Sequence, residues 1–238
     1  MNKYILADMI TERLTREIGM VEKPLPEELK RLETDLPSGR VRTEPALYQA
    51  EKLKKIVISK RSQGENLAGT LVMLISEDEY DFPFTLADVT FDFAGKGKMF
   101  VAFQFRPLVK DDESTRKYVE PLRKWFEAIN EIPSEPVTLP KEPGEFLKKN
   151  VTPIRYIRIV QEDYIDEVLN FAQQFFDIIL DIYRKAEPVK DARRRKEMDT
   201  FRSEWNKHIL SDDPSAQSLA ETYGQKTAAL FCEYLVYL

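Results

Sequence analysis

Residues Leu67–Arg106 read LAGTLVMLISEDEYDFPFTLADVTFDFAGKGKMFVAFQFR. Three runs within them, Leu67–Ser76, Phe84–Phe93 and Met99–Arg106, concentrate the β-branched and aromatic residues that suit a pleated, half-buried surface. Lys54–Lys60 (KKIVISK), just upstream, reads as a fourth strand. The joints RSQGEN, EDEYDFP and AGKGK are too short to carry crossover helices, so the strands form an antiparallel meander. Gly95 and Gly97 mark the last joint as a hairpin.

Outward from the meander the hydrophobic period becomes helical. Upstream, Tyr4–Met20 places Ile5, Met9, Leu14 and Ile18 near one stripe and stops at Gly19. A Pro-bearing connection, KPLPEEL, follows it, and Leu36–Pro45 (LPSGRVRTEP) reads as loop. Downstream, Asp111–Ile129 reads as a helix, and then four prolines in IPSEPVTLPKEPGE exclude regular structure. Asp163–Arg184, Lys190–Leu210 and Pro214–Tyr237 complete the chain as three helices. Helices on both sides of an antiparallel sheet predict an α+β fold, a three-layer α/β/α sandwich in one domain spanning 1–238. The alternative, a domain boundary at the proline-rich linker, would leave the strands without a second layer to bury them.

Composition narrows the chemistry. The 238 residues carry 36 Lys+Arg and 41 Asp+Glu, a net charge of −5, with one cysteine and one histidine. A single thiol, Cys232, excludes an intrachain disulfide and any zinc or cluster site built from several thiolates. The lone imidazole, His208, excludes a multi-histidine metal site. Neither GxxxxGK[ST] nor GxGxxG occurs, so two common nucleotide cradles are absent. The acidic balance, without a basic stripe interleaved with aromatics, argues against nucleic acid. No apolar run approaches the ~20 residues of a membrane span. The start, MNKYILADMITERL, lacks an export signal, so a cytoplasmic location is expected.

What remains is chemistry run by carboxylates, or none. Strand alternation puts Thr85, Ala87, Val89, Phe91 and Phe93 on one face, and Leu86, Asp88, Thr90 and Asp92 on the other. Asp88 is therefore mid-strand: an ordinary surface residue if that face is wet, or a desolvated proton donor if helices cover it. Asp212 and Asp213 precede Pro214, as a helix N-cap would, and are also candidate acids. Arg155 and Arg158 sit in the apolar context PIRYIRIV, where a ligand carboxylate is one partner they could meet. The run Arg193-Arg194-Arg195-Lys196 is either a solvated helix face or a docking patch for an acidic partner.

Four segments, in order, give the chain a family likeness. YDFPFTLADVTF, with Asp88, is similar to a strand motif of the ferredoxin-dependent bilin reductases. FRPLVKDDESTRKYVEPLRKW resembles that family's next segment through Pro107, Leu108, Asp111, Lys117, Tyr118, Pro121 and Leu122. VTPIRYIR resembles its arginine motif, with Arg158 at the arginine, and SDDPSAQSLAETYGQKTAALFCEYLVYL is similar to its C-terminus.

The resemblance implies a sheet flanked by helices, with an open-chain tetrapyrrole such as biliverdin or dihydrobiliverdin between sheet and C-terminal helices. It implies electrons from reduced ferredoxin, no bound metal or flavin, and a monomer. It assigns Asp88 as central proton donor to a radical intermediate, with Asp212 or Asp213 as auxiliary. It implies Arg158 as a propionate partner, with Arg155, Leu71 and Thr90 as further substrate contacts. Arg193–Lys196, with Lys52, Lys54 and Lys55, would form the ferredoxin docking face.

The chain also departs from the family. Leu86 stands where a glycine is usual. Val57, Ser59 and Leu71 occupy positions where the members that make phycocyanobilin carry proton-transferring His and Glu. That favours a member relying on aspartates alone, or a non-catalytic tetrapyrrole carrier on the same fold. A third reading is an interaction protein of unrelated purpose.

Overall fold

The computed structural model describes residues 2–138 and 141–238. Its strands are β1 (Val21–Lys23), β2 (Leu32–Leu36), β3 (Gly39–Ala50), β4 (Leu53–Gln63), β5 (Leu67–Ser76), β6 (Phe84–Phe91), β7 (Lys98–Arg106), β8 (Ser134–Pro136) and β9 (Ile154–Gln161). They join in the order β1-β3-β4-β5-β6-β7-β9-β8, with β2 also paired to β3, and every pairing is antiparallel. The helices are α1 (Ile5–Ile18), α2 (Glu27–Lys30), α3 (Asp112–Ser114), α4 (Arg123–Ile129), α5 (Glu145–Lys149), α6 (Ile165–Lys185), α7 (Ala192–Asp212), α8 (Pro214–Tyr223) and α9 (Gln225–Phe231).

The meander β4–β7 is the predicted one, and its alternation builds two different layers. Ile58, Val72, Ala87 and Phe103 are directly opposed across four strands, so their side chains share a face. With Phe105 they meet α1, α4 and α6 in the larger core, to which those helices bring Ile10, Leu14, Trp125, Phe175 and Ile179. The other face carries Val57, Met73, Ile75 and Phe84 under Met198, Trp205 and Ile209 of α7, Phe231 of α9 and Leu235. The three-layer α+β sandwich is thus present, with both helix layers on one sheet.

Several expectations change. Leu36–Pro45 is not loop: it turns at Pro37–Ser38 and enters β3, whose mixed, half-buried residues hid the strand period. The proline-rich segment does make regular structure, since Ser134–Pro136 is a strand. It sits at the sheet edge, where a proline's missing N–H breaks no ladder. Asp111–Ile129 is helical but irregular, passing through a π turn at Thr115–Val119 and a 3₁₀ turn at Glu120–Leu122 that accommodates Pro121. The last helix breaks at Gly224, whose φ of 87° lies in the region that favours glycine.

Candidate active site

Asp88 lies mid-way along β6, on the face beneath the C-terminal helices, and is 4% exposed. Its row across the sheet reads Ser59, Leu71, Asp88, Ala102, each directly opposite the next. Leu71 and Ala102 therefore flank Asp88, with Ser59 beyond Leu71, and none of them offers a carboxyl or imidazole. The polar contacts come from elsewhere. Arg61 Nη2 donates to Asp88 Oδ2 at 2.6 Å, and the Thr90 hydroxyl donates to Oδ1 at 2.8 Å. Burial pushes the Asp88 carboxyl above the usual carboxylate range, while Arg61 and the Thr90 hydroxyl pull the other way.

Arg61 reaches Thr90 because Gly69 lies between them in the ladder. A Cβ on Gly69 would sit 2.6 Å from the Thr90 Cα, closer than side chains approach. Arg61 escapes the sequence reading because the strand predicted there stops at Lys60. Continuing the alternation Val57, Ser59, Arg61 finds it.

The two candidate auxiliary acids part company. Asp212 ends α7 and turns to the first turn of α5, accepting from Phe146 N at 3.0 Å and from Ser211 Oγ at 3.0 Å. Asp213 is the N-cap of α8, accepting from Ser215 N at 2.7 Å and Ala216 N at 3.2 Å. Desolvation raises the Asp213 carboxyl, and those two N–H groups and the nearby Arg106 charge lower it. Burial, with Asp213 adding to it, pushes the Cys232 thiol up to about 11.

Arg106, at the end of β7 on the Asp88 face, is a second residue absent from the sequence reading. It is 7% exposed, lies over the Trp205 ring at 5.1 Å, and donates to the Asn150 carbonyl. Its Nε and the Trp205 Nε1 are buried without a protein acceptor among the described residues. Burial and the neighbouring Arg155 lower its pKa to about 10. The signal was available: Val101, Phe103 and Phe105 alternate with Ala102, Gln104 and Arg106, marking a polar face. A cleft of about 340 Å³ opens beside Arg106, Lys110, Asn150 and Thr152.

The other predicted residues divide. Arg155 pairs with Gln104 and shares the Asp88 face, whereas Arg158 pairs with Val101 and shares the larger core's face. Three residues apart on a strand means opposite faces. Arg158 donates to the Ile157 carbonyl and lies 6.0 Å from the Tyr156 ring centroid, so it does not join Asp88.

The basic run is not one patch either. Arg194 is buried, binding Asp81 at 2.9 Å, Asp111 at 2.7 Å and Ser114, and so is closed to a partner. Arg195 donates to the Val189 carbonyl, while Arg193 and Lys196 stay exposed. Lys52 donates to the Tyr183 and Arg184 carbonyls in the last turn of α6 and to that of Ala186 just past it. Lys55 donates to the carbonyls of Glu233 and Tyr237, in and after the π turn Cys232–Val236 that ends the chain's helices. Both thus close helix ends, and burial lowers the Lys55 pKa to about 8. Lys54 pairs with Asp78. His208 stacks on Phe146 with ring centroids 5.2 Å apart and meets Glu204 at 3.4 Å.

Among the described residues no helix is long and apolar enough to cross a membrane, and no group of three or more His, Cys, Asp or Glu is placed to hold a metal ion.

The sheet and its helical cover have counterparts among known proteins. The family model for ferredoxin-dependent bilin reductase matches residues 7–237. The chain belongs to the ferredoxin-dependent bilin reductase family. It is 20% identical over 184 residues to 15,16-dihydrobiliverdin:ferredoxin oxidoreductase of Gloeobacter violaceus, covering 77% of this chain and 73% of that protein. Phytochromobilin synthase from tomato, solved in complex with biliverdin, superposes with a TM-score of 0.75. That structure is 13% identical and the match covers 95% of this chain and 79% of the other, a likeness of fold.

Proposed function

We propose that the protein reduces an open-chain tetrapyrrole, biliverdin or dihydrobiliverdin, to a phycobilin with electrons from reduced ferredoxin. The observation that carries this reading is Asp88: a carboxyl 4% exposed, raised by burial, on the sheet face that C-terminal helices cover. Burial strengthens such a group's hold on its proton, and it can release that proton to a buried acceptor. Reduction of one double bond needs two electrons and two protons. One electron from ferredoxin and one proton from Asp88 convert the pigment to a neutral radical. A second electron and a second proton complete the step, and water returns the proton that Asp88 gave up. Asp213 is the auxiliary acid of this reading, because burial raises its carboxyl and the Arg106 charge acts on it.

Arg106 and Arg155 are the cations available to the pigment's propionates. Asp88 lies opposite Ala102, and Arg106 is four residues further along β7, about 14 Å at 3.4 Å per residue. A guanidinium matches a carboxylate with two parallel hydrogen bonds, and a buried arginine without a carboxylate partner gains most from one. A monomer acting alone fits this reading, since the acid and both arginines come from one chain.

The second reading is a carrier that binds the pigment and does not reduce it. Arg61 favours it, because a guanidinium 2.6 Å from Asp88 stabilises the ionised form that cannot donate. Anaerobic mixing with biliverdin, then with reduced ferredoxin, separates the two. A reductase gives a transient radical band and a shifted product; a carrier gives a stoichiometric shift on mixing that ferredoxin does not change. No shift on mixing would overturn both.

A further inference from the structure

The row that holds Asp88 contains no charged group that could tune it, so the tuning must come from the adjoining row. That row reads Arg61, Gly69, Thr90, Phe100. Arg61 bonds Asp88 and Thr90 through Nη2, both at 2.6 Å, and Thr90 again through Nε at 3.1 Å. The Thr90 hydroxyl donates its own proton to the second Asp88 oxygen. Both carboxylate oxygens are therefore fixed, which leaves Asp88 one orientation. The Arg61 side chain is 32% exposed and that of Asp88 is 6%, so the pair runs from solvent inward.

We propose that Arg61 is the positioning residue of this site, holding the Asp88 carboxyl in one rotamer and setting the pH at which it releases its proton. The proposal rests on the reading of Asp88 as proton donor and deepens it. Burial alone would make Asp88 a carboxyl that keeps its proton, because the anion left behind would be unsolvated. A guanidinium in contact with that anion lowers the cost of leaving it, and does so most as the charge develops. No competing charge obscures the effect among the described residues. Facing Asp88, β5 contributes Gly69 and Leu71, β7 contributes Ala102, and β4 adds Ser59 to Arg61. Arg61 is the charged group that acts on Asp88, and the described residues of the covering helices supply no other.

The test is a ¹³C titration of the aspartate carboxyls in the ligand-free protein, with Asp88 assigned by its loss in Asp88→Asn. In Arg61→Gln, and in Arg61→Met as an apolar second variant, the Asp88 titration moves up by about one to three pH units, the range for losing an opposite charge in contact. Arg61→Lys keeps a charge and returns the titration toward that of the unaltered chain. With biliverdin and reduced ferredoxin, the alkaline limb of the rate profile moves up with it, and kcat falls while KM changes little. An Asp88 titration unmoved in both uncharged variants overturns the proposal. A titration that moves as expected, in a protein that never reduces biliverdin, upholds the coupling and overturns only the reading of the reaction.

Discussion

The two faces of the central sheet are made by the same strands and differ in one respect: what they bury. Toward α1, α4 and α6 the strands present Ile56, Ile58, Val72, Leu74, Val89, Val101, Phe103 and Phe105, closed by rings such as Trp125 and Phe175. Toward α7 and α9 they present Met73 and Phe84, but also Ser59, Asp88, Thr90 and Arg106, all under 9% exposed. Buried polar groups cost stability unless paired, and an apolar row would have been the more stable choice. Both faces bury an apolar core, and the second also carries charged groups that folding alone does not need.

That contrast can be broken first on the apolar face. Phe103→Ala removes a fully buried ring between Trp125 and Phe175, and should cost about 3–5 kcal/mol in urea unfolding. Any loss of activity there should follow the loss of folded protein. Asp88→Asn should do the reverse. Pigment binding stays, and reduction slows by about 10²–10⁴-fold, the range for removing a general acid, as read by anaerobic single-turnover absorbance.

The same variant sharpens the contrast through pH. Asp88 has its folded pKa raised above the unfolded value near 3.9, so its contribution is fully present below that value and is lost as pH rises through the folded pKa. Asp88→Asn should therefore match the parent near pH 3 and become the more stable of the two at pH 8. Equal stability of the two at pH 8 would mean that Asp88 is not strained by burial.

The arginines give the smaller effects. Arg106→Gln, on the polar face, should weaken biliverdin binding about tenfold, a loss of ~1.4 kcal/mol. Arg158→Gln, on the other face and half-buried, should change pigment binding by less than about 0.5 kcal/mol. Reversal of that order, by fluorescence titration, would put the pigment on the wrong side of the sheet.

The meander was legible because its strands alternate strongly and its joints are short; β5 runs over the same residues that the sequence predicts. β1, β2 and β3 were not, since a strand with no clean apolar face leaves no period to read. Asp88 was legible as a position, though not its burial, which depends on helices more than a hundred residues away. Arg158 joins Asp88 only if VTPIRYIR is taken as a motif; taken as a strand, its three-residue spacing separates Arg155 from Arg158. Arg194 looks free in the sequence for the same kind of reason, since nothing in RRRK reveals that Asp81 and Asp111 converge on it.

The row Ser59, Leu71, Asp88, Ala102 has an evolutionary consequence. Its members stand side by side in space yet are spaced 12, 17 and 14 residues apart along the chain, on strands whose opposite faces build the apolar core. Their side chains point away from the alternate residues that build the larger core. A lineage could therefore exchange one protonable side chain for another along this line, changing which atoms of a pigment receive hydrogen, while the scaffold is inherited intact.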